Sequence, residues 1–122
     1  LRIEVGGGFV EFEELADGAL VDLTYGAQGG FHIWTSVRVY DEAVSDVQMN
    51  FLPRYEDGTP AGPPSRSAAT LRADRNGAQA VVGQRSFIDN AAHARGKRIV
   101  LRVEVIARDE HHGAGEKTVT AK

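Results

Sequence analysis

Gln28-Gly-Gly-Phe-His-Ile-Trp-Thr-Ser-Val-Arg-Val-Tyr40 is the stretch whose reading decides the fold class. Beyond the two glycines the chain alternates: Ile33, Val37 and Val39 fall on one face, and His32, Trp34, Ser36, Arg38 and Tyr40 on the other. A period of two over this length is the signature of a strand, and β-branched and aromatic side chains favour it. The second face is too rich in aromatic residues for a plain solvated surface. A central strand between two layers is therefore expected.

Upstream, Leu1-Arg-Ile-Glu-Val5 alternates in the same way until Gly6-Gly-Gly8 breaks it. Phe9-Val-Glu-Phe-Glu13 reads as a second strand, with Val10 and Phe12 facing away from Glu11 and Glu13. After the turn signal Ala16-Asp-Gly18, residues 20–25 place Val21, Leu23 and Tyr25 on one face. Downstream, residues 44–54 oppose Val47, Met49 and Phe51 to Asp46, Gln48 and Asn50. A loop over 55–65 holds three of the four prolines. Residues 68–73 and 78–87 read as weaker strands joined by the tight turn Asp74-Arg-Asn-Gly77.

The strongest alternation is Arg98-Ile-Val-Leu-Arg-Val-Glu-Val-Ile-Ala-Arg108, with Ile99, Leu101, Val103, Val105 and Ala107 inward and Arg102, Glu104 and Arg108 outward. A hairpin over 109–115 leads to a last strand, 116–121, with Val119 inward. Only residues 89–95 suggest helix, one short turn N-capped by Asp89 or Asn90 and stopped by Gly96. About eight or nine short strands with frequent turn signals predict an all-β, antiparallel β-sandwich, immunoglobulin-like, forming a single domain over 1–122.

Composition narrows the function classes. Apolar residues make up 42% and charged residues 25% of 122, the balance of a globular chain. A net charge of −3 with scattered signs lacks the clustered basic face that nucleic acid requires, so no nucleic-acid partner is expected. No apolar run approaches the roughly 20 residues of a membrane-spanning helix. The lack of cysteine excludes disulfides and thiolate chemistry. Nothing at Leu1 reads as a signal peptide, and Leu1 already sits in a strand-like pattern, which suggests a processed mature chain or a trimmed one, from which an export signal could have been removed.

Two stretches carry a resemblance. Gly96-Lys-Arg-Ile-Val-Leu-Arg-Val-Glu-Val-Ile-Ala-Arg-Asp-Glu-His-His-Gly-Ala-Gly-Glu-Lys-Thr-Val-Thr120 resembles the last two strands of immunoglobulin-like and fibronectin type III-like modules of bacterial secreted proteins. Gly26-Ala-Gln-Gly-Gly-Phe-His-Ile-Trp-Thr-Ser-Val-Arg-Val39 is similar to a segment of uncharacterised bacterial lipoproteins. The chain departs from true immunoglobulin domains in having neither inter-sheet cysteine. The resemblance implies an extracytoplasmic module (periplasmic, secreted or an outer-membrane lipoprotein with a lipid anchor upstream) and transfers no catalytic residue.

Candidate chemistry is sparse. Gly29-Gly30 precedes a strand rather than the helix a phosphate loop needs, and no nucleophile motif surrounds any serine, so no catalytic residue and no cofactor are expected. The face His32, Trp34, Arg38 and Tyr40 has the residue types of binding hot spots and suits a protein or glycan partner; the structural alternative is that Trp34 packs under a loop. Asp109-Glu-His-His112 with His32 or His93 makes a second candidate, a Zn²⁺ or Cu²⁺ site on His32, His93, His111 and His112, against which stands a solvated loop. Asp41, Glu42 and Asp46 on one side and Glu56 and Asp57 on the other could in principle bind Ca²⁺, but no spacing matches the Ca²⁺ loop of the helix-loop-helix kind, and solvated turns are the default reading. The leading expectation is a non-enzymatic extracytoplasmic module that binds a protein or glycan or acts as a spacer. The alternative is a periplasmic metal-binding sandwich, and an enzyme comes third.

Overall fold

The computed structural model describes residues 1–26, 29–40, 45–107 and 111–122. Gln28 at the head of the first quoted stretch, Val44 at the start of the predicted 44–54 strand, Asp41, Glu42, and Arg108, Asp109 and Glu110 of the last hairpin lie outside the described residues.

The alternating segments become β1 (Arg2–Gly6), β2 (Ala19–Val21), β3 (Thr24–Tyr25), β4 (Phe31–Tyr40), β5 (Asp46–Tyr55), β6 (Ser65–Thr70), β7 (Arg72–Ala73), β8 (Gln79–Ile88), β9 (Arg98–Ala107) and β10 (His112–Ala121). The short helix α1 (Ala91–Ala94) follows β8, with Asn90 accepting from the His93 N–H as its N-cap and Gly96 at φ 79° beyond its end. These strands form an all-β sandwich. Sheet A runs β1-β4-β8-β7, with β3 also on β4, and sheet B runs β2-β10-β9-β5-β6. Pairing is antiparallel except between β2 and β10.

The period-two pattern places the core as the sequence predicts. Ile33, Val37 and Val39 of sheet A meet Met49, Phe51, Leu101, Val103 and Val105 of sheet B, all essentially without solvent contact. Each such side chain contributes about 1.5–3 kcal/mol through burial. Two hydroxyls share this interior without penalty, because Thr35 Oγ1 and Ser86 Oγ lie 2.8 Å apart and Thr35 also donates to the Ile33 carbonyl. At one margin the sheets almost touch. A Cβ at Gly115 would sit 2.8 Å from the Ile3 carbonyl, so glycine there lets β1 lie against β10.

Three expectations are corrected. Residues 9–13 are not a strand: they form a strap that leaves β1 at Gly7, folds back through a single backbone pair between Gly7 and Glu13, and lies across the outer face of sheet A. The predicted strands 20–25 and 68–73 are each split, because the chain changes sheets at the buried residues Leu23 and Leu71. Tyr25 consequently points to solvent rather than sharing the side of Leu23. A local alternation is the same whether a strand stays in one sheet or crosses to the other.

Candidate functional site

The outer face of β4 is not uniform, and its two halves have different cover. The half nearest β1 is roofed. Arg38 is only 8% exposed, and its guanidinium gathers the strap and the β7–β8 turn onto the sheet. Its Nε donates to Asp74 Oδ2 at 2.6 Å, Nη1 lies 3.3 Å from Glu14 and 3.7 Å from Glu4, and Cζ stacks 4.0 Å from the Phe12 ring centre. The Asp74 hydrogen bond raises Arg38 above its ordinary range, and the same bond holds Asp74 below the ordinary carboxylate value. Tyr40 donates to Glu4, and that hydrogen bond raises the phenol's pKa. Ser36 Oγ donates to the Gly8 carbonyl and accepts from the Gly83 N–H. Arg38, Tyr40 and Ser36 thus each have partners within the chain. Arg38 and Tyr40, both proposed from the sequence as binding residues, serve as an internal clasp.

The other half is partly open. Phe9, at the tip of the strap, lies over Trp34 with ring centres 4.4 Å apart, while Arg85 of β8 sits 5.3 Å above the Trp34 ring. His32 meets Trp34 edge-on at 4.4 Å and Phe87 at 6.4 Å. The result is a continuous row, Phe9, Trp34, His32, Phe87, in which Phe9 is 61% and Phe87 39% exposed while neighbouring Val10 is 87% exposed. His32 itself is buried, and its Nε2 has no hydrogen-bond partner among the described residues. Burial first, and the charge of Arg85 second, lower its pKa below the usual 6.5, so the imidazole is neutral at pH 7.

Register explains this arrangement. Trp34 pairs with Arg85 and His32 with Phe87 across β4 and β8, so all four side chains leave the same face. Between Thr35 and Val37 the register slips by one residue at a bulge carrying Gly83 at φ 73°. A Cβ on Gly83 would stand 2.8 Å from the Phe9 carbonyl, so the bulge glycine lets the strap settle there. Arg85, Phe87 and Phe9 were not singled out from the sequence. The signal was present as alternation in 78–87, but the bulge inverts its phase halfway.

The edge of the sandwich beside this row holds a groove of about 290 Å³, lined by Phe51, Ser65, Ser67, Gln84 and Phe87 and rimmed by Arg66 and Arg85. Ser67 donates to Gln84 across its floor, joining β6 to β8.

His112, with His111 next to it in the chain, lies far from His32 and from His93. The Leu1 ammonium donates to the His112 carbonyl, and Arg2 pairs with Tyr40, so His112 lies near the Tyr40 end of β4. His32 is eight residues down that strand, about 26 Å at roughly 3.3 Å per residue. His93, on α1, packs its ring 5.4 Å from Tyr55, which pairs with Ile99, whereas His112 pairs with Ile106 at the far end of β9. Among the described residues no three His, Cys, Asp or Glu side chains are placed to hold one metal ion. Glu56 instead pairs with Arg98, and Asp57 accepts from the N–H and hydroxyl of Thr59. No helix among the described residues is long and apolar enough to cross a membrane.

Comparison with known proteins finds no match of this chain to a family model, to a curated protein or to a solved structure.

Proposed function

We propose that this chain is a non-enzymatic, extracytoplasmic, immunoglobulin-like module that docks a protein partner on the open half of the β4 face. The observation that carries the reading is the row Phe9, Trp34, Phe87 with Arg85 beside it. Phe9 on the strap and Phe87 on β8 keep 61% and 39% of their surface in solvent, on either side of a half-buried Trp34 that they and Arg85 surround. Trp and Arg at the centre, with apolar neighbours that exclude water, are the make-up of a binding hot spot. A protein is favoured over a glycan because Phe9, His32 and Arg85 already surround the Trp34 ring, so the tryptophan does not offer the open plate on which a sugar would stack. The extracytoplasmic assignment rests on the two sequence resemblances.

Photocrosslinking tests this. With benzoylphenylalanine in place of Phe9 or Phe87, in the cells that make the protein, a discrete protein adduct is expected whose yield drops when Arg85 is changed to Glu. Ile106, exposed to a similar degree on the outer face of sheet B, serves as the control. Equal adducts from Ile106, or none from Phe9 and Phe87, would overturn the proposal. Binding on a glycan array that Trp34→Ala abolishes would transfer the site to carbohydrate.

A further inference from the structure

The groove beside the aromatic row bears on the kind of partner. Both sheets end there. β8 pairs with β7 only through Gln79 and Ala80, and at its other end the backbone of Ala61 and Gly62 packs against Phe87 and Asp89, so the stretch of its outer edge without a neighbouring segment among the described residues is Gly83 to Ser86. β6 is the last strand of sheet B, and its outer edge faces the same groove. An unpaired edge presents backbone N–H and C=O groups in the spacing that an extended chain requires.

The rims add a charge preference. Arg38, Arg98 and Arg102 each hold carboxylates at 2.6–3.7 Å. Arg66 and Arg85, like Arg54 and Arg72, hold none among the described residues, and these two are the pair that line one groove: Arg66 donates to Asn50, and Arg85 rests on Trp34. In a chain of net charge −3, two unneutralised guanidiniums stand on opposite lips of one cleft. Its lining is mixed, Phe51 and Phe87 with Ser65, Ser67 and Gln84, and suits an extended chain whose side chains alternate between apolar and polar.

Resting on the protein-docking reading above, we infer that the partner presents an extended acidic segment that adds as a strand to the free edge of β8. Its carboxylates meet Arg66 and Arg85, and its apolar side chains meet Phe87 and the aromatic row. Backbone pairing supplies the mode, the two arginines supply the polarity, and the aromatic row supplies the apolar anchor.

The probe is a labelled octapeptide of alternating Val and Glu, compared with its Val and Lys counterpart and with a version whose backbone amides are N-methylated. Fluorescence anisotropy is expected to show saturable binding of the acidic peptide alone, weakening about tenfold or more when salt rises from about 50 to about 300 mM. Backbone amide shifts in ¹⁵N spectra should map to residues 83–86 and 65–67. An R66E/R85E variant is expected to lose binding, and R66Q/R85Q to lose most of it, with circular dichroism unchanged for both. Absence of saturable binding below about 1 mM, equal binding of the Lys peptide, indifference to N-methylation, or shifts elsewhere would each overturn the inference. Crosslinks from Phe9 without peptide binding would sink strand addition alone, whereas failure of the crosslinks strikes the docking reading itself.

Discussion

The two halves of the outer face of β4 are built from similar residues and end in opposite states. Around Arg38 and Tyr40, four carboxylate or aromatic partners converge on one guanidinium, and the strap lies down over it. Around His32 and Trp34, the strap contributes only the ring of Phe9, and the surrounding rings and Arg85 stay in contact with solvent. The difference lies in the second partner. A cation on a half-buried sheet finds its carboxylates within the chain, where desolvation makes their pairing strong. An aromatic row has no internal surface left to cover it.

The largest test of this contrast is removal of the clasp. Arg38→Ala should lower unfolding stability by about 3 kcal/mol, because Asp74 and Glu4 would be left half-buried without their cation. Arg38→Lys should recover only part of it, since a single ammonium does not span Asp74 and Glu14 together. Urea unfolding checks both, and a loss below about 1 kcal/mol for the alanine variant would mean that the strap is held by something else.

The halves should also respond to acid in different windows. The folded pKa of Asp74 is depressed, so its contribution is present above its ordinary value of 3.8 and is lost as pH falls through the lower folded value. His32 is a base whose folded pKa is likewise lowered, so the unfolded chain binds its proton first. Stability is then full above about 6.5 and declines as pH drops through that value. A stability profile measured against pH should therefore show two descending steps. Arg38→Met should remove the more acidic step and His32→Phe the milder one; a profile that stays flat between pH 7 and pH 5 in the wild-type chain would contradict the buried, neutral His32.

The smallest effect sharpens the comparison most. Phe9→Ala should change stability by only about 1 kcal/mol or less, because most of that ring faces water, while eliminating partner binding. A loss similar to that of Arg38→Ala would assign Phe9 to the clasp and dissolve the distinction between the halves.

Most of the fold was legible before any coordinates. In β5 and β9 every second residue is apolar, and those residues, from Val47 to Phe51 and from Ile99 to Ala107, are the ones buried. The one helical turn was readable from Asn90 and Gly96. Less of the candidate site was legible. Trp34 stood out as a binding residue, but its neighbours Phe9, Arg85 and Phe87 come from segments whose alternation is misleading. In one case the reason is a strap that mimics a strand, and in the other a bulge that shifts the phase.

By itself, the sequence determined that β4, β5 and β9 are strands, which side of each faces the core, and that Ile33, Val37 and Val39 belong to that core. Alternating hydrophobicity is a local property, and burial on one face follows from it directly. Only the tertiary structure decided that Arg38 is buried and Tyr40 is engaged with Glu4, while Phe9 keeps most of its ring in solvent above a half-buried Trp34. Cover on a second face depends on which distant segment arrives there. Glu14, Phe12 and Asp74 reach Arg38 only after the strap and the β7–β8 turn have folded onto it.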